Sequence, residues 1–153
     1  MRRQTNVTNV VDATTEQLQR VGYAVFESSF SVKERAVIAS NFDELRDIYI
    51  QLHGREALAA IDELNTIRAP LTLPGSKMGP LALNPDLMGK VSGILDGQFI
   101  LNQQNGIINP PRENYNQGSW HRDFPYQHFV SDHPLGLNAL YCVDDFTTEN
   151  GAT

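Results

Sequence analysis

GSWHRD at residues 118–123 places His121 and Asp123 two positions apart, in a segment that reads as the end of a strand. Side chains at positions i and i+2 of a strand leave the same face, so this imidazole and this carboxylate are expected to point at one spot. A histidine and a carboxylate are two of the three ligands in the two-His-one-carboxylate sites that hold Fe(II) in oxygenases. The sequence therefore presents a candidate metal site with one ligand still to be found.

The spacing alone is weak evidence, because a His-x-Asp pair arises by chance in about one in four sequences of this length and composition. The alternative is a strand-end histidine that hydrogen-bonds a nearby aspartate. The flanking residues favour the metal site. Trp120 is expected to face away from the pair into packing, and Phe124 and Tyr126 follow it as candidates for a substrate pocket or for aromatic core.

The composition indicates one globular domain. The chain has 153 residues, of which 41% are hydrophobic and 20% charged, and a formal net charge of −6. Its 12 Lys and Arg residues are scattered, which argues against a nucleic-acid partner. Neither a signal peptide nor a membrane span is evident, so we expect a cytoplasmic protein without a membrane partner. The single cysteine, Cys142, excludes an internal disulfide and is expected on a buried strand.

Capping signals and apolar spacing predict the helices. Thr14 with Gln17 has the spacing of a capping box before a short helix that Gly22 ends. Ser31 with Glu34 forms a second box, and the apolar residues that follow recur at steps of four and three as far as residue 52. Further helix is expected at 55–64 and 85–95, on either side of an ordered but irregular connection at 69–85.

Strands are predicted at 23–26, 98–108 and 137–146, where β-branched, aromatic and other apolar residues concentrate. Gln103 and Asn105 lie two positions apart on the second of these strands, so they are expected to share a face. Asn150-Gly151 is a strong hairpin-turn signal, but only two residues follow it.

These segments together resemble the first part of a phytanoyl-CoA dioxygenase-type protein, a branch of the Fe(II)/2-oxoglutarate-dependent oxygenases. The resemblance runs from Gly22 to Thr153 and rests on four pieces: GYAVFE at 22–27, ILNQQNGII at 100–108, WHRD at 120–123 and ENGAT at 149–153. It implies an α+β to mainly β fold, the first half of a double-stranded β-helix (a cupin-like jelly roll) with flanking helices. Residues 1–153 would form a single domain, incomplete at its C-terminus, with a helical portion at 1–97 and β-helix strands at 98–153.

The resemblance implies that His121 and Asp123 bind the iron, and that a second histidine and a 2-oxoglutarate-binding arginine follow the ENGAT-like segment. The chain ends before both, so the 153 residues alone are expected to bind iron weakly and to be inactive. His128 and His133 are expected in a loop or at a pocket rim rather than as the third ligand. His53 is expected at a helix end, where it would interact with terminal carbonyls.

The activity that the resemblance implies is hydroxylation of a small organic substrate by O₂, with oxidative decarboxylation of 2-oxoglutarate. Asp123 favours hydroxylation over halogenation, because related halogenases replace this carboxylate with a small residue. The resemblance assigns Asn105 to the cosubstrate and Gln103 to substrate or cosubstrate. The alternative is that both amides satisfy neighbouring backbone groups. Lys77 and Arg68 are too isolated to indicate a coenzyme A site.

The alternative function is that of a catalytically inactive fragment, or of a small-molecule-binding β protein. In either form the shortened sheet would be completed by a partner chain, or by a homodimer formed through exposed strand edges.

Overall fold

A computed structural model of the chain describes residues 12–95, 97–109 and 132–150. Helix predominates in this part, which also contains one small antiparallel sheet. In chain order the elements are α1 (Ala13–Val21), α2 (Val32–His53), α3 (Arg55–Ala60), β1 (Thr66–Arg68), a 3-10 turn (Pro70–Thr72), α4 (Gly79–Ala82), α5 (Pro85–Ile94) and β2 (Asn105–Ile107).

The long helix α2 organises the structure, and its predicted capping box is confirmed. The backbone N–H of Glu34 donates to Ser31 Oγ (3.3 Å), and the backbone N–H of Ser31 donates in return to Glu34 Oε2 (2.8 Å). Both bonds satisfy amides that the first helical turn leaves without a partner. At the other end Gly54, with φ +83°, ends the helix after His53.

The apolar side chains of α2 contribute to two clusters of buried residues. Leu45 is completely buried, and burial of a leucine side chain stabilises a fold by about 1.5–3 kcal/mol. Phe42 and Leu73 pack against both clusters and join them into a continuous core. The buried members are Ile38, Leu45 and Met78 in the first cluster, and Tyr49, Leu58 and Ile67 in the second.

The short helix α1 is present where it was predicted, but the prediction of Thr14 as its N-cap is wrong. Asp12 caps the helix instead, because its Oδ1 accepts from the backbone N–H groups of Thr14 (2.8 Å) and Thr15 (3.1 Å). Gly22 ends the helix in the left-handed conformation, as expected. The helix packs on α5, where a Cβ added at Gly93 would meet Thr15 Cγ2 at 3.6 Å.

The predicted helix after Asn84-Pro85 is confirmed as α5. Asn84 Oδ1 accepts from the backbone N–H of Leu87 (3.0 Å), and its Nδ2 donates to Ser29 Oγ (3.0 Å). This buried asparagine therefore caps α5 and also ties it to the loop before α2. The further turn or two of helix predicted within 55–64 is confirmed as α3, which ends at Ala60.

The sheet consists of two short strands, and the sequence predicted only one of them. β1 pairs antiparallel with β2, in the register Thr66↔Ile107, Ile67↔Gly106 and Arg68↔Asn105. The strand predicted over 98–108 is thus reduced to its last part, and residues 98–104 are not in a ladder. A three-residue strand such as β1 is too short to show a reliable alternation of apolar and polar residues.

The strands predicted at 23–26 and 137–146 are absent. These segments have no paired neighbour among the described residues, and Val25 and Leu140 are 85% and 92% exposed. Cys142 is exposed rather than buried on a strand. The described residues thus show a mixed helical and small-sheet structure compatible with the α+β class, and they contain no jelly roll.

Within the part of the chain that the structure describes, none of the helices has the length and apolar character of a membrane span.

Candidate functional site

The predicted metal pair, His121 and Asp123, lies outside the described residues, as do the predicted pocket residues Phe124 and Tyr126. Their roles and geometry therefore stay predictions. His128 also lies outside the described residues. The predicted site residues that the structure does place are Gln103 and Asn105, which belong to the segment leading to the metal pair.

Asn105 is the first residue of β2 and is half-buried, whereas Gln103 precedes the strand and is exposed. Backbone hydrogen bonds hold β2 on both sides of its ladder. The N–H of Ala69 donates to the carbonyl of Gln104 (3.0 Å), and the N–H of Ile108 donates to that of Asn65 (3.0 Å). The backbone of Asn105 is therefore fixed against β1, and Gln103 lies outside this rigid region.

Gly106 determines how closely the sheet approaches α2. A Cβ added at Gly106 would lie 2.7 Å from Phe42 Cε2 and 3.3 Å from Ile67 Cδ1, both inside ordinary contact distances. Only a residue without a side chain allows this packing. Because successive residues of a strand point to opposite faces, Asn105 is directed away from α2. The close packing of Gly106 thus sets the side of the sheet from which the Asn105 side chain leaves.

Arg68 shares the outer face of the sheet with Asn105, since the two are directly opposed across the ladder. Arg68 Nε donates to Glu63 Oε1 (3.1 Å), and Nη2 donates to the same oxygen. The hydrogen bond from Arg68 lowers the pKa of the Glu63 carboxyl, and the guanidinium charge adds to this shift while burial opposes it. The outer face thus carries an amide beside a guanidinium that a carboxylate holds in place.

Sequence reasoning missed this arrangement, because Arg68 looked isolated along the chain. Its proximity to Asn105 depends on the pairing of β1 with β2, which are separated by two further helices. A guanidinium and an amide side by side offer several N–H donors to a ligand carboxylate. The short run Thr66-Ile67-Arg68, with its polar-apolar-polar alternation, was the only local signal that Arg68 is on a strand.

The two described histidines form no metal site with other described residues. His53 ends α2 as expected, and its ring packs against that of Tyr49 at 4.4 Å between centroids. His133 is 86% exposed, and its Nε2 lies 3.5 Å from Asp132 Oδ1. Over 12–95, 97–109 and 132–150, the structure contains no group of three or more His, Cys, Asp or Glu residues able to hold a metal ion.

A turn at residues 147–150 immediately precedes the predicted Asn150-Gly151 hairpin turn. Asn150 Oδ1 accepts from the backbone N–H of Thr147 (2.7 Å), and Asn150 Nδ2 donates to the carbonyl of Asp145 (2.6 Å). The asparagine side chain thus closes the turn through both of its polar atoms. Gly151 lies outside the described residues, so the expected hairpin pairing stays a prediction.

A comparison with known protein families finds one family whose profile covers most of the chain. The profile of the family described as phytanoyl-CoA dioxygenase (PhyH) matches residues 18–153, which include Asn105, the His121-x-Asp123 pair and the turn at Asn150. The chain belongs to the phytanoyl-CoA dioxygenase family. Members of this family are generally dependent on Fe(II) and 2-oxoglutarate, so the family assignment indicates an oxygenase of that type.

Two curated relatives with similar sequences are uncharacterized proteins, one from Mycobacterium bovis and one from Mycobacterium tuberculosis. Each is 27% identical to the chain over 148 residues, which amounts to 94% of this chain and 53% of the relative. The chain therefore spans about half the length of the curated relatives it matches. No solved structure shows significant similarity to it.

The chemistry of the available donors fits the iron of the phytanoyl-CoA dioxygenase family. One imidazole and one carboxylate, from His121 and Asp123, are the ligand types of a two-His-one-carboxylate site. Among themselves, the described residues form no cluster of His, Cys, Asp or Glu that could hold a metal ion. They add instead the polar face of Asn105 and Arg68, whose N–H donors suit the carboxylates of a cosubstrate or substrate.

Proposed function

We propose that the protein is an Fe(II)/2-oxoglutarate-dependent dioxygenase that hydroxylates a small organic substrate. The observation that carries the proposal is the family match over 18–153, which includes both the His121-x-Asp123 pair and the strand of Asn105. In this proposal His121 and Asp123 hold the iron, whose third protein ligand comes from outside the described residues. The bound iron supplies the chemistry that couples decarboxylation of 2-oxoglutarate to hydroxylation by O₂.

The polar face of the β1–β2 sheet binds and orients the carboxylate-bearing ligand in this proposal. Asn105 donates its amide N–H to 2-oxoglutarate, because its backbone is held by the ladder and its side chain is directed away from α2. Glu63 keeps the Arg68 guanidinium in one orientation next to that amide. Gln103 is assigned to substrate or cosubstrate, and its exposed position before the rigid strand suits a ligand that varies in shape.

We assign the exclusion of water from the substrate pocket to the aromatic residues that follow His121 and Asp123. Phe124 and Tyr126 are proposed to line the substrate pocket, where apolar rings keep water from the reacting C–H bond. The substrate is a small organic molecule, and hydroxylation is proposed over halogenation because the carboxylate of Asp123 is present.

The proposal is tested by the uncoupled reaction, in which 2-oxoglutarate is converted to succinate without substrate. The polypeptide encoded by the complete gene should release succinate slowly when supplied with Fe(II), O₂ and 2-oxoglutarate. His121→Ala and Asp123→Ala should abolish this release. The exposed His133 provides a matched control, because His133→Ala removes an imidazole outside the proposed site. Undiminished release by both ligand variants would refute the proposal.

The role of Asn105 is tested separately in the same assay. Asn105→Ala should raise the KM for 2-oxoglutarate about tenfold to a hundredfold, since one hydrogen bond to a charged group contributes about 1.5–3 kcal/mol. Asn109→Ala, at an exposed position beyond β2, should leave the KM unchanged. An equal KM for 2-oxoglutarate in the Asn105→Ala and Asn109→Ala variants would show that Asn105 does not bind the cosubstrate.

A second candidate function is favoured by the exposed apolar side chains of the extended segments. Val25, Ile100 and Leu140 are 85%, 84% and 92% exposed, and exposed apolar residues mark a contact site where they form a contiguous patch. In this alternative the chain completes its sheet by pairing with a second copy or with a partner chain. Sedimentation of the 153-residue chain should then show a dimer that Leu140→Lys dissociates, whereas a monomeric native chain would exclude the homodimer.

A further inference from the structure

A groove of about 600 Å³ lies between the first turns of α2 and the segment 77–80, apart from the polar face of the sheet. Its volume is within the range of small-molecule pockets, about 300–1,000 Å³. The described side chains around it include an apolar group and two lysines, together with Ser31 and Glu34. The apolar residues are Phe30, Val37, Ile38 and Pro80, and the lysines are Lys33 and Lys77.

The backbone beneath both lysines is held in place. The backbone N–H of Lys77 donates to Asn41 Oδ1 (2.6 Å), and Asn41 is itself 1% exposed on α2. Asn41 Nδ2 also donates to the carbonyl of Gly75 (3.1 Å), so the loop cannot separate from the helix without leaving buried polar groups unpaired. Lys33 belongs to the helical turn that the Ser31 capping box secures.

The charges around the groove leave its lysines available to an anion. In the described part of the chain neither Lys33 nor Lys77 forms an ion pair, whereas the described pairs join other residues. Glu34 also lines the groove, but its Oε2 accepts hydrogen bonds from Ser31 N (2.8 Å) and Ser31 Oγ (2.7 Å). These bonds lower the pKa of Glu34 and direct its carboxylate to the helix start.

The apolar wall of the groove is formed by Phe30, Val37, Ile38 and Pro80. The ring of Phe30 packs edge-on against Tyr141 with 5.7 Å between centroids, which limits the positions that it adopts. Val37 is 41% exposed beside it, and Ile38 reaches from the groove into the core cluster of Leu45. An apolar ligand that covers this wall would remove exposed hydrocarbon from water.

We propose that this groove binds a small amphiphilic carboxylate, with its apolar body against Phe30 and Val37 and its head group between Lys33 and Lys77. Two ammonium groups beside an apolar wall complement a molecule with one negative end and one hydrocarbon end. The site goes beyond the proposed function, because it uses neither the iron ligands nor the polar face of the sheet.

The experiment is a calorimetric titration of the 153-residue chain with decanoate, below the concentration at which decanoate forms micelles. Saturable binding at one site is expected. Decan-1-ol, which has the same hydrocarbon chain without a charge, should bind more weakly. Lys33→Gln combined with Lys77→Gln should weaken decanoate binding about fivefold to tenfold, from two partly exposed charge interactions.

The matched control is Arg35→Gln, which removes a positive charge from the same helical turn without lining the groove. It should leave decanoate affinity within about twofold of the native value. Amide chemical-shift changes on binding should be confined to residues 30–38 and 77–80. Any of three results would overturn the proposal: no saturable binding, equal affinity for decanoate and decan-1-ol, or equal losses in the Arg35 variant and the double lysine variant.

Discussion

Gly106→Ala should destabilise the protein, because Gly106 sets the distance between the sheet and α2. The added Cβ would lie 2.7 Å from Phe42 Cε2 and 3.2 Å from Phe42 Cζ. Carbon atoms normally approach to about 3.5–4.0 Å, so the ring or the strand must move by about 0.8 Å or more. The conformation of Gly106 is not left-handed, so alanine meets no backbone penalty there and the cost is one of packing.

The net magnitude combines two opposing effects. Overpacking of a core position costs about 1–3 kcal/mol, and alanine recovers about 0.4–1 kcal/mol by restricting the unfolded chain. The free energy of unfolding of Gly106→Ala should therefore fall by about 1–2 kcal/mol, as measured by urea denaturation. Gly89→Ala is the control. It lies on α5 with open space around its added Cβ, and it should raise that free energy by about 0.5–1 kcal/mol.

A double-mutant cycle with Phe42→Leu identifies the clash as the cause. Leucine lacks the two ring atoms that the Gly106 Cβ would meet, so Gly106→Ala should cost less in the Phe42→Leu background than in the native protein. The coupling between the two changes should be about 1 kcal/mol in the favourable direction. Unchanged stability of Gly106→Ala, or strict additivity with Phe42→Leu, would refute this account of the packing.

Three further predictions concern other contacts of the structure. Ser31→Ala should lower the free energy of unfolding by about 1 kcal/mol in urea denaturation, because α2 loses its capping box; a native value would contradict this. Asn41→Ala should lower the free energy of unfolding by about 2–3 kcal/mol, since it leaves the N–H of Lys77 without its acceptor. A loss smaller than that of Ser31→Ala would contradict the role of Asn41 in holding the loop at Lys77 against α2. Glu63→Gln should be less stable than the native protein at neutral pH, because the bond from Arg68 lowers the pKa of the Glu63 carboxyl in the folded state. The loss of stability in Glu63→Gln should be greatest above pH 4.5, the ordinary pKa of the carboxyl, and should disappear as the pH falls through the lowered pKa of Glu63 in the folded state. A loss of stability that persists in acid would exclude the ion pair as its source.

The helices could be predicted from the sequence because their signals are local. The box at Ser31 and Glu34, the proline after Asn84 and the glycine at position 22 each act within one helical turn. The one misplaced cap shows the limit of such signals. Asp12 precedes the Thr14 box, and its carboxylate accepts two amide hydrogen bonds, which a hydroxyl at Thr14 could not do from inside the helix.

Strand β1, the true extent of β2 and the pairing of Arg68 with Asn105 could not be predicted, because they depend on contacts between distant segments. The apolar runs at 23–26 and 137–146 have strand-like composition, but composition does not supply the neighbour that accepts a strand's hydrogen bonds. Arg68 became a candidate site residue only when β1 was seen opposite β2. Asn105, in contrast, was proposed from the sequence because it belongs to a family motif; its place on β2 agrees with the predicted strand, and its role at the site stays a proposal.

The central claim is that His121 and Asp123 supply two ligands to an iron site, and anaerobic titration with Fe(II) tests it most directly. The polypeptide encoded by the complete gene should bind one Fe(II), and His121→Ala and Asp123→Ala should each weaken that binding by at least about tenfold. His133→Ala should retain the native affinity. Native affinity for Fe(II) in both the His121 and the Asp123 variants would contradict the account.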